Sequence, residues 1–282
     1  MTVVVCLKVY EGMVVGADST TTAFRIDDKG QAVVVNTYDN ANKIINLHKD
    51  LPLGLATWGV GGIGTASIPS LAKDLRYRFM LEPSDAIEPR DYGVEEVAKR
   101  TRRFFFDEKF KAAYPSSPPS GLWGFVVFGV SANADHAEAW MFEIRDGKAT
   151  EPSCVLAQNA VGALCYGQPE AVFRLLRGVD VDGMFDFLKS KGMSDEDARG
   201  WIVEMLQRFS KPMIDSAMPL QDAIDLVRFL VDLTCRCSRF WLGPQTVGGP
   251  IDIATVTKHE HFKWVQRKHF YDMHLNPERR AT

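Results

Sequence analysis

The stretch that most constrains this chain lies at its beginning. Residues 3–9 (VVVCLKV) form a β-branched, almost unbroken apolar run, and residues 13–17 (MVVGA) form a second, with Tyr10-Glu11-Gly12 between them. Two such runs joined by a short Gly-containing turn read as a β-hairpin. Neither run alternates polar with apolar residues, so both faces of both strands need cover, and the hairpin belongs inside a layered domain. The second strand ends at Asp18-Ser19, which puts a carboxylate at the end of a buried strand. If Glu11-Gly12 is the loop, Asp18 stands opposite about Val5, roughly 10 Å along the strand from residue 2.

Residue 2 is a threonine directly after Met1. Its small side chain predicts removal of the methionine, which leaves a hydroxyl and a free α-amine on one residue. An α-amine has an ordinary pKa of roughly 7.7–8.0, so near neutral pH a useful fraction is unprotonated and accepts the hydroxyl proton. Thr2 is thereby nucleophile and base together, a known variant of the nucleophile–base pair. Branching at Cβ restricts the rotation of its hydroxyl. A long side chain is needed to bridge Asp18 and Thr2, and Asn42-Lys43-Ile44-Ile45-Asn46-Leu47 offers Lys43 at the start of a short strand.

Thr2, Asp18 and Lys43, in the contexts VVVCLKVYEGMVVGADS and NKIINL, resemble the proteasome β-subunit family of N-terminal nucleophile (Ntn) hydrolases, including its bacterial, ancestral β-subunit type. The spacing from nucleophile to acid fits that family without a gap. The path from acid to Lys43 is longer than usual, with the extra residues in the polar stretch Arg25–Asn36. The resemblance is strong over residues 2–60 and weaker over about 122–170 and 222–265. It does not extend to the middle helices, to 180–218 or to the C-terminal tail.

What the resemblance implies is an α+β chain folded as a four-layer α-β-β-α sandwich, the Ntn hydrolase fold; periodicity alone gives only α+β. It implies a threonine endopeptidase acting on peptides or unfolded polypeptide, with Thr2, Asp18 and Lys43 catalytic and the Gly59 N–H in the oxyanion hole. It also implies a homo-oligomer, as a ring or a stacked or spiral assembly, with an ATP-dependent unfoldase as a partner that such assemblies can take. A supporting Ser is usual in the loop that here reads Tyr166-Gly167-Gln168-Pro169, where Tyr166 stands instead. An acid and a Ser are usual before two glycines where this chain has Gln245-Thr246-Val247-Gly248-Gly249. Ser19, Tyr166 and Thr246 are the candidate support residues. These departures motivate an alternative, a catalytically silent assembly protein; the same nucleophile would also serve an amidase for a small molecule.

Composition excludes several other classes. With a net charge of −3 over 282 residues there is no basic field for nucleic acid. Five cysteines scattered through apolar runs (Cys6, Cys154, Cys165, Cys235, Cys237) fit reduced packing residues in a cytoplasmic protein. No charged leader and no apolar run of about 18 residues is present, so secretion and membrane spanning are disfavoured. No cofactor and no metal is expected. Cys235 and Cys237 are two apart on a helical pattern and diverge, and His259 and His261 have no matched ligand pair.

Along the chain, Thr20–Asp39 is polar, with Ala32–Val35 extending it as a ribbon. Leu53–Trp58 reads as a buried strand running into the Gly-rich turn at 59–64, which lacks the Lys-Ser/Thr ending of a phosphate loop. Apolar residues recur at three and four over Ser67–Met80, Gly93–Tyr114, about Ser194–Phe209 and Pro219–Phe240, predicting helices. Basic residues from Arg100 to Lys111 give the second of these a solvated or subunit-facing side. Strands are expected at 122–131, 137–144, near Val155, at 251–257 and at 262–265. The expected organisation is one domain over 2–265, with a helical insertion at about 179–218 and a polar tail over 266–282.

Overall fold

The computed structural model describes residues 2–26, 32–209 and 212–268; Met1 and most of the expected tail lie outside the described residues. The hairpin forms as β1 (Val3–Lys8) and β2 (Met13–Ala17), antiparallel and buried throughout. Its tip is Tyr10-Glu11, because the Val9 N–H donates to the Gly12 carbonyl at 3.0 Å. Pairing therefore runs from Lys8–Met13 to Val4–Ala17, and the expected register is corrected by two residues: Asp18 comes beside Val3, not Val5.

On the other side of β1 lies β13 (Gly162–Gly167), with Val3 opposite Gly167 and Val4 opposite Tyr166. Beyond β2 come β14 (Asp252–Thr257) and β15 (His261–Gln266), completing an antiparallel sheet in the order β13-β1-β2-β14-β15. The second sheet is also antiparallel. It joins β5 (Ile44–Asn46), β6 (Leu53–Gly59), β9 (Leu122–Gly129), β10 (Glu138–Arg145) and β11 (Lys148–Ala149) in that spatial order, and β12 (Ser153–Leu156) also pairs with β10. Two small ribbons stand apart, β3 (Thr21–Ile26) with β4 (Ala32–Tyr38), and β7 (Gly62–Ile63) with β8 (Ala66–Ser67). Antiparallel sheets with separate helices make the chain α+β.

The helices are α1 (Ile68–Leu81), α2 (Val94–Arg102), α3 (Lys111–Ala113), α4 (Glu170–Arg177), α5 (Val181–Ser190), α6 (Asp195–Phe209) and α7 (Leu220–Ser238). Residues Arg103–Phe110 join α2 to α3 as a π-helical stretch whose wider turn lets Phe104, Phe105, Phe106 and Phe110 all be buried. The Ser67 hydroxyl caps α1 by accepting from the Ser70 N–H, and Ser194 caps α6 by accepting from the Asp197 N–H at 3.1 Å. The segment expected to hold one helix at 194–209 holds two, α5 and α6, which pack on each other.

Alternation along β1 divides its side chains between two cores. Val3, Val5 and Leu7 join Val227, Leu230 and Val231 of α7, whereas Val4 and Cys6 join Ala56, Trp58, Val126 and Phe128 of the second sheet. A further core lies on the opposite face of the second sheet, where Leu53, Leu55, Phe125 and Phe142 meet Ile68, Leu75, Phe79, Phe104 and Phe105. Each fully buried side chain of this kind contributes roughly 1.5–3 kcal/mol. The absence of polar alternation in β1 is explained by cover on both of its faces.

Candidate active site

The site begins with the carboxylate at the end of β2. Asp18 is fully buried, and its oxygens are shared among four donors. Oδ1 accepts from the Val3 N–H at 2.9 Å and from Lys43 Nζ at 2.6 Å. Oδ2 accepts from the N–H groups of Thr20 and Gly248, each at 3.1 Å. A buried carboxylate needs such compensation, and here three of the four donors are main chain. The Gly248 N–H was not foreseen: reading the 245–249 turn for side chains misses that its contribution is backbone.

Lys43 is delivered from the other sheet. The segment before β5 is tied at both ends, by the Ala41 N–H donating to the Ser19 carbonyl at 2.8 Å and by the Thr57 N–H donating to the Lys43 carbonyl at 3.0 Å. Its side chain is only 7% exposed beside an Asp18 that is wholly buried. Burial pulls the Lys43 pKa below the ordinary lysine value, and the Asp18 carboxylate opposes that pull.

Thr2 stands at the start of β1, 4% exposed, its carbonyl accepting from the Gln168 N–H at 2.8 Å. The chain crosses so closely here that a Cβ on Gly167, at φ +88°, would fall 1.9 Å from the Thr2 carbonyl oxygen. Only glycine fits, and this pins Thr2 just before the strand. Thr2, Lys43 and Gly59 all line one cavity of about 630 Å³, together with Thr21, Thr57 and Trp58 among others. Gly59 has φ +89°, and a Cβ there would lie 2.0 Å from the Leu122 carbonyl oxygen, so bare backbone faces the cavity at this corner. Asp18 lies behind the wall, reaching the cavity through Lys43.

The candidate support residues divide differently. Ser19 is buried and donates its hydroxyl to the Pro250 carbonyl at 2.5 Å, while its N–H donates to the Gly248 carbonyl at 2.9 Å. It fastens the 248–250 turn against the Asp18 corner. Tyr166 is not in a loop: it belongs to β13, and its ring stacks on Trp58 with centroids 4.2 Å apart. It does not line the cavity, and its buried hydroxyl has no hydrogen-bond partner among the described residues. Burial pushes that hydroxyl's pKa far up. Thr246 is buried in its turn and does not line the cavity either. Among the described residues no three His, Cys, Asp or Glu side chains converge to hold a metal, and no helix is long and apolar enough to cross a membrane.

No family model matches the chain, and no curated protein matches it. Among solved structures, the Anbu (Gly-1) mutant from Hyphomicrobium sp. strain MC1 is similar over 94% of this chain and 86% of that one, with a TM-score of 0.50 and 13% sequence identity. Anbu is a bacterial proteasome-like Ntn protein. At that identity the likeness is one of fold. The family assignment expected from the residues around Thr2, Asp18 and Lys43 is corrected accordingly: the sequence likeness yields no family match, and the chain is not placed in the proteasome β-subunit family. The matching residues were concentrated in the first 60 positions, and a hairpin, an acid and a lysine are too few to carry membership for 282 residues.

Proposed function

We propose that this chain is an N-terminal threonine hydrolase that cleaves peptides or unfolded polypeptide by acyl transfer to Thr2, on a four-layer α-β-β-α sandwich. The observation that carries the reading is the meeting of Thr2, Lys43 and Gly59 in one cavity, with Asp18 buried behind it and bonded to Lys43. The three apolar cores support the layering, since each sheet packs on the other through one face and on helices through its opposite face. The fold likeness to Anbu points the same way.

In this reading Met1 is removed and the Thr2 α-amine becomes the base. The Thr2 Oγ attacks the carbonyl carbon of the scissile amide, and its proton passes to the amine. The Gly59 N–H is assigned to the oxyanion, where a preorganised donor is worth about 10²–10³ in rate. The protonated amine then returns its proton to the leaving nitrogen as the C–N bond breaks. Water enters by the same route and releases the acyl group. Lys43, held by Asp18, stabilises the negative charge that grows on Oγ and disfavours protonation of the amine in the resting state. Assembly of several copies belongs to the same proposal, with exposed Trp201, Phe209, Phe240 and Leu242 as apolar surface for it to cover.

The test is intact mass before and after a threonine-directed electrophile, a peptide epoxyketone or β-lactone. Loss of Met1 and one adduct mapped to Thr2 are expected, and native mass spectrometry of the same sample reads the subunit number. A processed Thr2 that takes no adduct would return the chain to the silent assembly protein, and a monomer would remove the assembly.

A further inference from the structure

The cavity that contains Thr2 is unevenly charged. Among its described lining residues the ionisable side chains are Lys43 and Lys73, and there is no aspartate or glutamate. Lys43 is neutralised by Asp18. Lys73 projects from α1 as an exposed cation with no ion-pair partner among the described residues. One turn further along, Arg76 is half-buried and equally without a carboxylate, and side chains three apart on a helix have Cβ atoms about 5–6 Å apart. Neither Arg76 nor Arg267, whose guanidinium lies over the Trp264 ring at 4.8 Å, lines the cavity itself. Burial first, and then repulsion from Arg267, pulls the Arg76 pKa below the ordinary value.

Among the lining residues Lys73 is therefore the cation without a bonded counter-ion, and it leaves positive potential on the α1 side of the cavity, with Asp74, its neighbour on the helix, outside the lining. The rest of that wall offers hydroxyls and amides, Ser67, Ser70, Asn40 and Asn42, that accept or donate to a polar ligand without competing for the cation. We propose that this cavity selects substrates that present a carboxylate near the scissile amide, with Lys73 as the specificity residue. The inference rests on the hydrolase reading above. The carboxylate is supplied either by an Asp or Glu side chain within the peptide or by a free chain terminus.

Binding tests this without turnover. The Thr2→Ala protein is titrated, by fluorescence anisotropy, with four labelled peptides: a Glu peptide and its Gln counterpart, each with a free or an amidated C-terminus. An exposed charge pair predicts about fivefold tighter binding for the carboxylate at low salt, shrinking as salt screens it. Lys73→Met should abolish the preference, and Lys73→Glu should transfer it to a peptide with Lys at the same place. A gain from Glu irrespective of the terminus identifies the side chain as the source; a gain only with the free terminus identifies the chain end. Equal binding of all four peptides, no binding of any, or a preference that survives Lys73→Met would overturn the proposal. Failure of Thr2 to take an electrophile is read in a separate experiment, so the two ideas fail independently.

Discussion

At one end of β1 the amine of Lys43 lies 2.6 Å from Asp18, beside the cavity that contains Thr2. At the other end Lys8, wholly buried, donates to the main-chain carbonyls of Ala157 and, at 2.7 Å, Gln158. A carboxylate is near Lys8 as well, but Glu138 is occupied by Ser131, Trp140 and Gln158 and makes no ion pair with it. Burial pulls the Lys8 pKa from 10.5 down to about 8, against the pull of Glu138. Both lysines satisfy their amines in the interior. Only one has a full counter-charge and a cavity shared with Thr2, so it is the partner and the cavity, and not burial, that single out Lys43 for the proposed mechanism.

The largest effect expected from breaking this contrast is at Asp18. Asp18→Ala leaves the Lys43 amine and three main-chain N–H groups without their acceptor, and should cost about 3–5 kcal/mol of stability. Denaturant unfolding measures it, and a loss below about 1 kcal/mol would mean that the pair does not matter to the fold. Lys43→Met should behave differently. The carboxylate keeps its bonds to Val3, Thr20 and Gly248, so the stability loss should be smaller, about 1–3 kcal/mol. Capture of a threonine-directed electrophile at Thr2 should nonetheless slow about 10²–10³-fold, since the lost charge is the one that the proposed mechanism sets against the alkoxide. Undiminished labelling of Lys43→Met would remove Lys43 from the mechanism.

Lys8 offers the opposite signature, in pH and not in reactivity. The folded protein holds the Lys8 proton less tightly than the unfolded chain does, so between about pH 8 and 10.5 the unfolded state binds more protons. Stability contributed by this group therefore rises with pH across that window, by up to about 3 kcal/mol. Lys8→Met should flatten the rise while leaving Thr2 labelling unchanged. Parallel stability curves for the two proteins would show that the Lys8 pKa is not displaced.

The contrast also explains what was legible in the residues. The two apolar runs announced a buried hairpin because neither alternates, and α1, α6 and α7 announced themselves by apolar recurrence at three and four. The register did not. Sliding a hairpin by one residue turns every side chain to the wrong face, but sliding it by two keeps the same faces inside. The apolar pattern is therefore blind to the difference between Asp18 beside Val5 and Asp18 beside Val3, and that difference decides whether the acid reaches the Val3 N–H at the start of β1. β13 was hidden for another reason: GALCYG is short and glycine-flanked, and reads as the approach to a loop. The donors completing the Asp18 site are main-chain N–H groups, to which residue type gives no guide. Thr2 and Lys43 were nameable from the residues, and Gly59 from the resemblance; their common cavity depends on the pairing of strands far apart in the chain.

The smallest expected effect concerns Tyr166, which stood among the candidate support residues and lies between the sheets. Its ring packs flat on Trp58, and Trp58 lines the cavity, so the ring supports the cavity wall from behind. The hydroxyl is another matter, since it is buried without a partner among the described residues and its desolvation is uncompensated. Tyr166→Phe keeps the stacked ring and removes that cost, so stability should be unchanged or rise by about 1 kcal/mol, with Thr2 labelling unaltered. If the hydroxyl instead completes a proton path to Thr2 through a water, the same substitution would slow labelling at least tenfold with little change in stability. Unfolding and labelling of this one variant therefore separate a residue that supports the wall of the site from one that takes part in its chemistry.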